Sequence, residues 1–191
     1  NIAFNLLDGL RRQATVRPDS VCFIFGDDVI SFGAFAAHTD QLAMALLGAG
    51  LRRGDRVAIL ALASPLFFEL LFACAKAGLI LVPINNRLSA REVGEVLDDA
   101  QPAMVIVADL LRNLVPDEGD WILFSDEAAY AWAAGQAQAI LPPAGSSDDP
   151  VLILYTSGTT GRAKGVQLSP YNPSFLARMA HELCAFTDAS T

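Results

Sequence analysis

Positive charge is what this chain has least of. Between Asn113 and Gly161 there is no lysine or arginine, while Asp117, Glu118, Asp120, Asp126, Glu127, Asp148 and Asp149 fall inside that stretch. Over 191 residues, 13 Lys and Arg stand against 21 Asp and Glu, a net charge of −8. That balance argues against nucleic acid or an anionic membrane as the main partner, since both attract a surplus of cations. The acidic run itself reads as a solvated surface. Any phosphate site must then rest on local donors, because the overall field repels anions. Cysteine is also scarce: Cys22, Cys74 and Cys184 lie far apart, with no C-x-x-C pair and no Cys/His grouping. Neither a disulfide framework nor a metal site is expected; free buried thiols in a reducing, cytoplasmic setting are. The two histidines, His38 and His181, stand alone on expected helices, where core or surface placement outweighs catalysis. No basic, apolar leader follows Asn1, and the absence of an initiator methionine suggests a segment of a longer protein. No apolar stretch of about 18 residues escapes a charge, so no transmembrane segment is expected. Residues 57–84 come nearest, and Ser64, Pro65, Glu69 and Lys76 interrupt them.

What the chain has in quantity is apolar side chain. A hydrophobic share of 53% against 18% charged residues describes a core-rich globular protein. Such a chain buries roughly 70% of its unfolded surface, enough for one good core or two small ones. A helix is expected over residues 2–13, with Phe4, Leu7 and Leu10 on one stripe and Pro18 beyond its end. The runs 21–25 and 29–31 flank Gly26-Asp27-Asp28 and read as a hairpin. A helix over 32–47 carries Phe35, Leu42, Leu46 and Leu47 and stops at Gly48 and Gly50.

Strand and helix then alternate. A strand over 56–62 leads to a helix over 65–77 behind Ser64 and Pro65, and then to a strand over 79–83. The box Ser89-Ala-Arg-Glu92 starts a helix reaching about Asp99, with Val93, Val96 and Leu97 inward. Further strands are expected over 103–107 and 121–124. The helix over 65–77 has only Glu69 and Lys76 as polar residues, so it should be largely enclosed. This alternation predicts an α/β fold: a mostly parallel sheet with right-handed crossovers and helices on both faces. Ligands on such sheets bind beyond the carboxyl ends of the strands. The expected organisation is a Rossmann-like subdomain over 1–140 and a linker over 141–150. Residues 151–191 then begin a next subdomain with a strand, a loop, a strand and a helix. That helix starts at Asn172-Pro173 and turns Leu176, Met179, Ala180 and Leu183 inward.

The densest chemistry is in Tyr155-Thr-Ser-Gly-Thr-Thr-Gly-Arg-Ala-Lys-Gly-Val166, directly after the apolar run Val151-Leu-Ile-Leu154. Glycines let backbone N–H groups turn toward an anion, hydroxyls add donors, and a lysine supplies a mobile positive charge. A plain glycine-rich turn rarely gathers four hydroxyls and a lysine. The string is not a Walker loop, because Lys164 does not follow a glycine at that motif's spacing. Its continuation, Gly165-Val-Gln-Leu-Ser169, alternates like a strand and does not open a helix. An anion would therefore be held by a backbone nest between two strands.

The string resembles the signature of the AMP-forming adenylating enzymes, which include acyl-CoA synthetases, peptide-synthetase adenylation domains and luciferases. Their pattern reads approximately Y-T-S-G-T-T-G-x-P-K-G-V; Ala163 stands where proline is usual, and Pro170 where relatives often carry histidine. Ser31-Phe-Gly-Ala-Phe35, Gly54-Asp-Arg-Val-Ala58, Lys76-Ala-Gly78 and Val82-Pro-Ile-Asn-Asn-Arg-Leu-Ser89 are similar to the family's N-terminal landmarks, in order. The Val82–Leu88 string resembles the acyl- and aryl-CoA synthetase version, whereas peptide-synthetase domains more often show P-x-D-P-x-Y-P there.

The resemblance implies an ATP-dependent acid–CoA ligase: a carboxylic acid, ATP and CoA give acyl-CoA, AMP and pyrophosphate, a reaction of fatty-acid metabolism among others. It implies that Thr156, Ser157, Gly158, Thr159, Thr160, Gly161 and Lys164 bind the phosphates of ATP with Mg2+. The family's later motifs, Y-G-x-T-E for adenine and magnesium and T-G-D for ribose, do not occur in this sequence. Nor does the domain with the catalytic lysine. A truncated, catalytically silent N-terminal piece is therefore expected. Its docking face for the missing C-terminal portion of the parent would be exposed and prone to form a homodimer or aggregate. The alternatives are a peptide-synthetase-type adenylation domain and a stand-alone, non-catalytic nucleotide-binding domain.

Overall fold

The computed structural model describes residues 6–116, 121–124, 126–136, 139–143, 148–156, 163–170 and 172. Helix α1 spans Leu6–Val16 and runs past the expected end at 13, while residues 2–5 of the expected helix lie outside the described residues. Its buried residues are Leu7 and Leu10, as the stripe requires, while Phe4 lies outside the described residues. A hairpin comes next, β1 (Val21–Phe25) against β2 (Asp28–Ser31). Its two-residue connection puts Gly26 at φ 60°, the first position of a II′ turn, which only glycine adopts freely. Ser31 then caps α2 (Phe32–Gly48), its hydroxyl accepting from the Ala34 amide.

The alternating part of the sequence forms one six-stranded sheet. Its strands are β3 (Arg56–Leu60), β4 (Ile80–Pro83), β5 (Met104–Ala108), β6 (Trp121–Phe124), β7 (Leu152–Thr156) and β8 (Lys164–Leu168). In space they run β6-β5-β3-β4-β7-β8, all parallel except β8, which is antiparallel to β7. The expected mostly parallel sheet is what forms. The segment after 141–150 is joined to it directly: the Leu81 amide donates to the Val151 carbonyl at 2.9 Å.

Helices cover both faces, and the period-two alternation of the strands assigns them. Val57, Ile59, Leu79, Leu81, Met104 and Ile106 pack with residues of α2, of α3 (Pro65–Ala77) and of α5 (Asp126–Gly135). On the other face, Ala58, Leu60, Ile80, Val82, Val105 and Val107 pack with α4 (Ala90–Ala100) and with a 3-10 helix over Asp109–Leu114. The capping box forms as read: Ser89 Oγ accepts from the Glu92 amide and the Glu92 carboxylate accepts from the Ser89 amide. Neither α5 nor the 3-10 helix was expected. Helix α5 is rich in alanine, which has high helix propensity but draws no stripe, and it docks through Ala129 and Ala133. The expected helix after Asn172 lies outside the described residues. Among those described, no helix is long and apolar enough to cross a membrane.

Helix α3 is enclosed, and its two polar residues show what that requires. Glu69 is fully buried; His38 Nδ1 lies 2.9 Å from its Oε1, and the Tyr130 hydroxyl donates to its Oε2. Lys76 Nζ donates to Thr39 Oγ1 at 2.6 Å and to Asp40 Oδ1 at 2.7 Å. These contacts lock α2, α3 and α5 together, because a carboxylate without partners in a dry core is costly. His38 is thereby assigned a structural task. His38→Ala should lower stability by about 2–3 kcal/mol, below the ~3–5 of a fully enclosed pair because His38 is itself partly exposed. Urea unfolding is the check, and a change within ~0.5 kcal/mol would show that Glu69 does not depend on the imidazole.

Candidate functional site

Because β3, β4, β5 and β7 are parallel, their carboxyl ends share one edge of the sheet. The chain leaves β3 toward α3 on one face, but leaves β4 and β5 toward α4 and the 3-10 helix on the other. Strand β3 is therefore flanked by reversals of winding, the place where open sheets leave a crevice. Two cavities open there. One, of about 330 Å³, lies between the ends of β3 and β4 and is lined by Ala61, Phe67, Phe68, Ile84, Asn85 and Asn86 among others. The other, of about 350 Å³, lies at the ends of β3 and β5 beside Leu62, Leu66 and Leu110.

The Gly/Thr loop leaves the same edge, from the end of β7, which neighbours β4. It joins two antiparallel strands, as the alternation after Lys164 had suggested. Their register runs from Leu152↔Leu168 to Thr156↔Lys164. Thr156 and Lys164 are therefore cross-strand partners at the mouth of the loop, on the same face of the ladder with Cα atoms ~4.5–5.5 Å apart. Both side chains are exposed. The other expected ligands, Ser157, Gly158, Thr159, Thr160 and Gly161, lie outside the described residues. A hydroxyl and an ammonium paired across a ladder can address one anion together, with the intervening backbone between them.

The AMP-binding enzyme family matches residues 10–189. This chain belongs to that family. It is 39% identical over 137 residues to the fatty acid–[acyl-carrier-protein] ligase ScoC of Streptomyces coeruleorubidus, a match covering 69% of this chain and 26% of that protein. It is 34% identical over 161 residues to a feruloyl-CoA synthase of an Amycolatopsis species, covering 84% and 32%. Among solved structures, the inhibitor-bound N-terminal domain of FACL13 from Mycobacterium tuberculosis superposes with a TM-score of 0.77 at 30% identity. That match covers 87% of this chain and 44% of that one. The chain thus spans about a quarter to a third of the length of the two curated relatives.

Other groups in this member of the AMP-binding enzyme family are accounted for by structure. Burial raises the Cys22 thiol to about 11 and raises Cys74 as well, so neither is a thiolate at neutral pH. Both are free cysteines, and Cys184 lies outside the described residues, as does His181. Among the described residues, no cluster of three His, Cys, Asp or Glu side chains could hold a metal ion. Asp149, from the acidic run, pairs with Arg53 just before β3. Tyr155, which lies against Gly165 and reaches Asp99 beside the β7–β8 stem, carries no sequence signal that marks this contact.

Proposed function

We propose that this chain is the N-terminal part of an AMP-forming acyl-CoA synthetase and that the loop between β7 and β8 holds the β- and γ-phosphates of ATP. In the parent, a carboxylic acid would attack the α-phosphorus, giving acyl-AMP and pyrophosphate. The thiolate of CoA would then displace AMP to give the acyl thioester. Hydroxyls of Thr156, Ser157, Thr159 and Thr160, backbone N–H groups from Ser157 to Gly161, and the Lys164 ammonium would hold the leaving pyrophosphate in line and offset its charge. Mg2+ would arrive on the ATP phosphates, since that ion is usually held by substrate oxygens and one or two carboxylates. In this reading, β7 and β8 complete one edge of the sheet and lead on into the rest of the parent, and the 191 residues alone are catalytically silent.

The observation that supports the reading is that the strands bounding the loop end at the carboxyl edge of the parallel strands, with Thr156 and Lys164 paired across its mouth. CoA is preferred as acceptor on the Val82–Leu88 string, although one relative is named for an acyl-carrier protein and another for CoA. The test is product analysis with the intact parent, Mg-ATP, carboxylic acids of graded length and aromaticity, and either CoA or a pantetheinylated carrier protein. AMP and pyrophosphate in equal amounts, with the acyl group on CoA, are expected. ADP and phosphate would overturn adenylation; a thioester formed only on the carrier would overturn the choice of acceptor.

A further inference from the structure

The glycine after Lys164 is required by what crosses it. Gly165 in β8 is the register partner of Tyr155 in β7. A Cβ at position 165 would lie 2.9 Å from Ile153 Cγ2, 3.1 Å from Tyr155 Cζ and 3.3 Å from Tyr155 Oη. The phenol ring therefore lies across bare backbone, as aromatics do when they cover a glycine in an edge strand. Beyond the strand, its hydroxyl donates to Asp99 Oδ2 on α4 at 2.5 Å. Burial first, and then the hydrogen bond and negative charge of Asp99, raise the phenol above its ordinary range, so it stays a donor at neutral pH.

Helix α4 is a firm anchor for this bond. Val93, Val96, Leu97 and Ala100 bury it against the sheet, and Arg56 donates to the carbonyls of Ala100 and Gln101 at its end. Asp99 is oddly placed for helix stability, since a carboxylate in the last turn opposes the helix dipole. Glu95 and Asp98 stand with it around a cavity of about 200 Å³ that Tyr155 and Ala163 also line. A carboxylate kept there against the helix's preference, with a tyrosine reaching it from the stem of the loop, has a task outside the helix.

We infer that Tyr155 and Asp99 are positioning residues for the nucleotide: their bond pins the β7–β8 hairpin to α4 and so fixes the next pair outward, Thr156 and Lys164, in its orientation toward the phosphates. The inference rests on the phosphate-holding reading of the loop. Neither residue touches the nucleotide. Without the bond, the outer end of the hairpin would have to be ordered each time ATP binds, a cost that appears in affinity and not in the chemical step.

The test uses the intact parent and measures ATP dependence of adenylation apart from CoA transfer to preformed acyl-AMP. Tyr155→Phe keeps the ring over Gly165 and deletes only the donor. Asp99→Ala deletes the acceptor, and Asp99→Asn keeps one. Tyr155→Phe and Asp99→Ala should each raise the KM for ATP by about 5–20-fold, the scale of one charge-assisted bond, with kcat changed much less. Asp99→Asn should stay near wild type, the double variant should be no worse than either single one, and CoA transfer should be unchanged. An unchanged KM for ATP in Tyr155→Phe, while Lys164→Ala does impair adenylation, would overturn the inference and leave the loop reading standing. Equal losses in both half-reactions with a lowered melting temperature would also overturn it, by assigning the pair to stability alone. Silence of Lys164→Ala as well would remove the reading on which the inference rests.

Discussion

The 191-residue chain alone should show no carboxylic-acid-dependent exchange of pyrophosphate into ATP. Adenylation requires the carboxylate, the α-phosphorus and the leaving group to be held in near-attack geometry, and such alignment supplies ~7–11 kcal/mol, or about 10⁵–10⁸-fold in rate. In the proposed reading, these residues provide a six-stranded sheet and the stem of the loop that would hold the phosphates. The groups that the family resemblance assigns to adenine, ribose and the closing lysine are not among them. Affinity for ATP should accordingly be no better than about millimolar, near −4 kcal/mol. The assay should sample short, medium, long and aromatic acids. Exchange above background with any of them would show that this chain already contains a working adenylation site.

Lys164→Ala in the intact parent should cripple the first half-reaction and spare the second. Pyrophosphate exists only in the first, so a cation that offsets its charge has nothing to stabilise once acyl-AMP has formed. Removing one preorganised donor of this kind costs on the order of 2–4 kcal/mol, about 30–1,000-fold in kcat/KM for adenylation. Lys164→Arg should recover part of the loss, since the charge returns but on a planar fork in place of a compact ammonium. The Lys164 side chain is exposed, so substitution there should cost little stability. Rapid-quench measurement of acyl-AMP formation, beside transfer from supplied acyl-AMP, separates the two steps. Equal losses in both would remove the assigned role.

Legibility in the sequence tracks the range of the interactions. Local signals gave local structure: Ser89 and Glu92 marked the start of α4, Gly26 the hairpin turn, and the apolar run at 56–60 a strand buried on both faces. Strand β3 ends at Leu60, short of the expected Leu62, where the chain turns away from the sheet toward α3. Helix α5 escaped notice because Ala129 and Ala133 dock by smallness, which leaves no hydrophobic stripe. Contacts between distant positions were not legible. His38 and Tyr130 reach Glu69 from 31 and 61 positions away, and Tyr155 reaches Asp99 across 56. Single residue types at such separations carry no pattern until the sheet order brings them together. The candidate site stands out in the sequence for the opposite reason, since its hydroxyls, glycines and lysine occupy one short string. Of these, Thr156 and Lys164 are placed by the strands that bound the loop.

The most direct measurement of the central claim is a crystal structure of the intact parent with Mg2+ and a non-hydrolysable ATP analogue. Lys164 Nζ and Thr156 Oγ1 are expected within ~3 Å of β- or γ-phosphate oxygens, with backbone N–H groups between Ser157 and Gly161 directed at the same oxygens. Triphosphate bound at another edge of the sheet, with Lys164 directed into solvent, would contradict that claim.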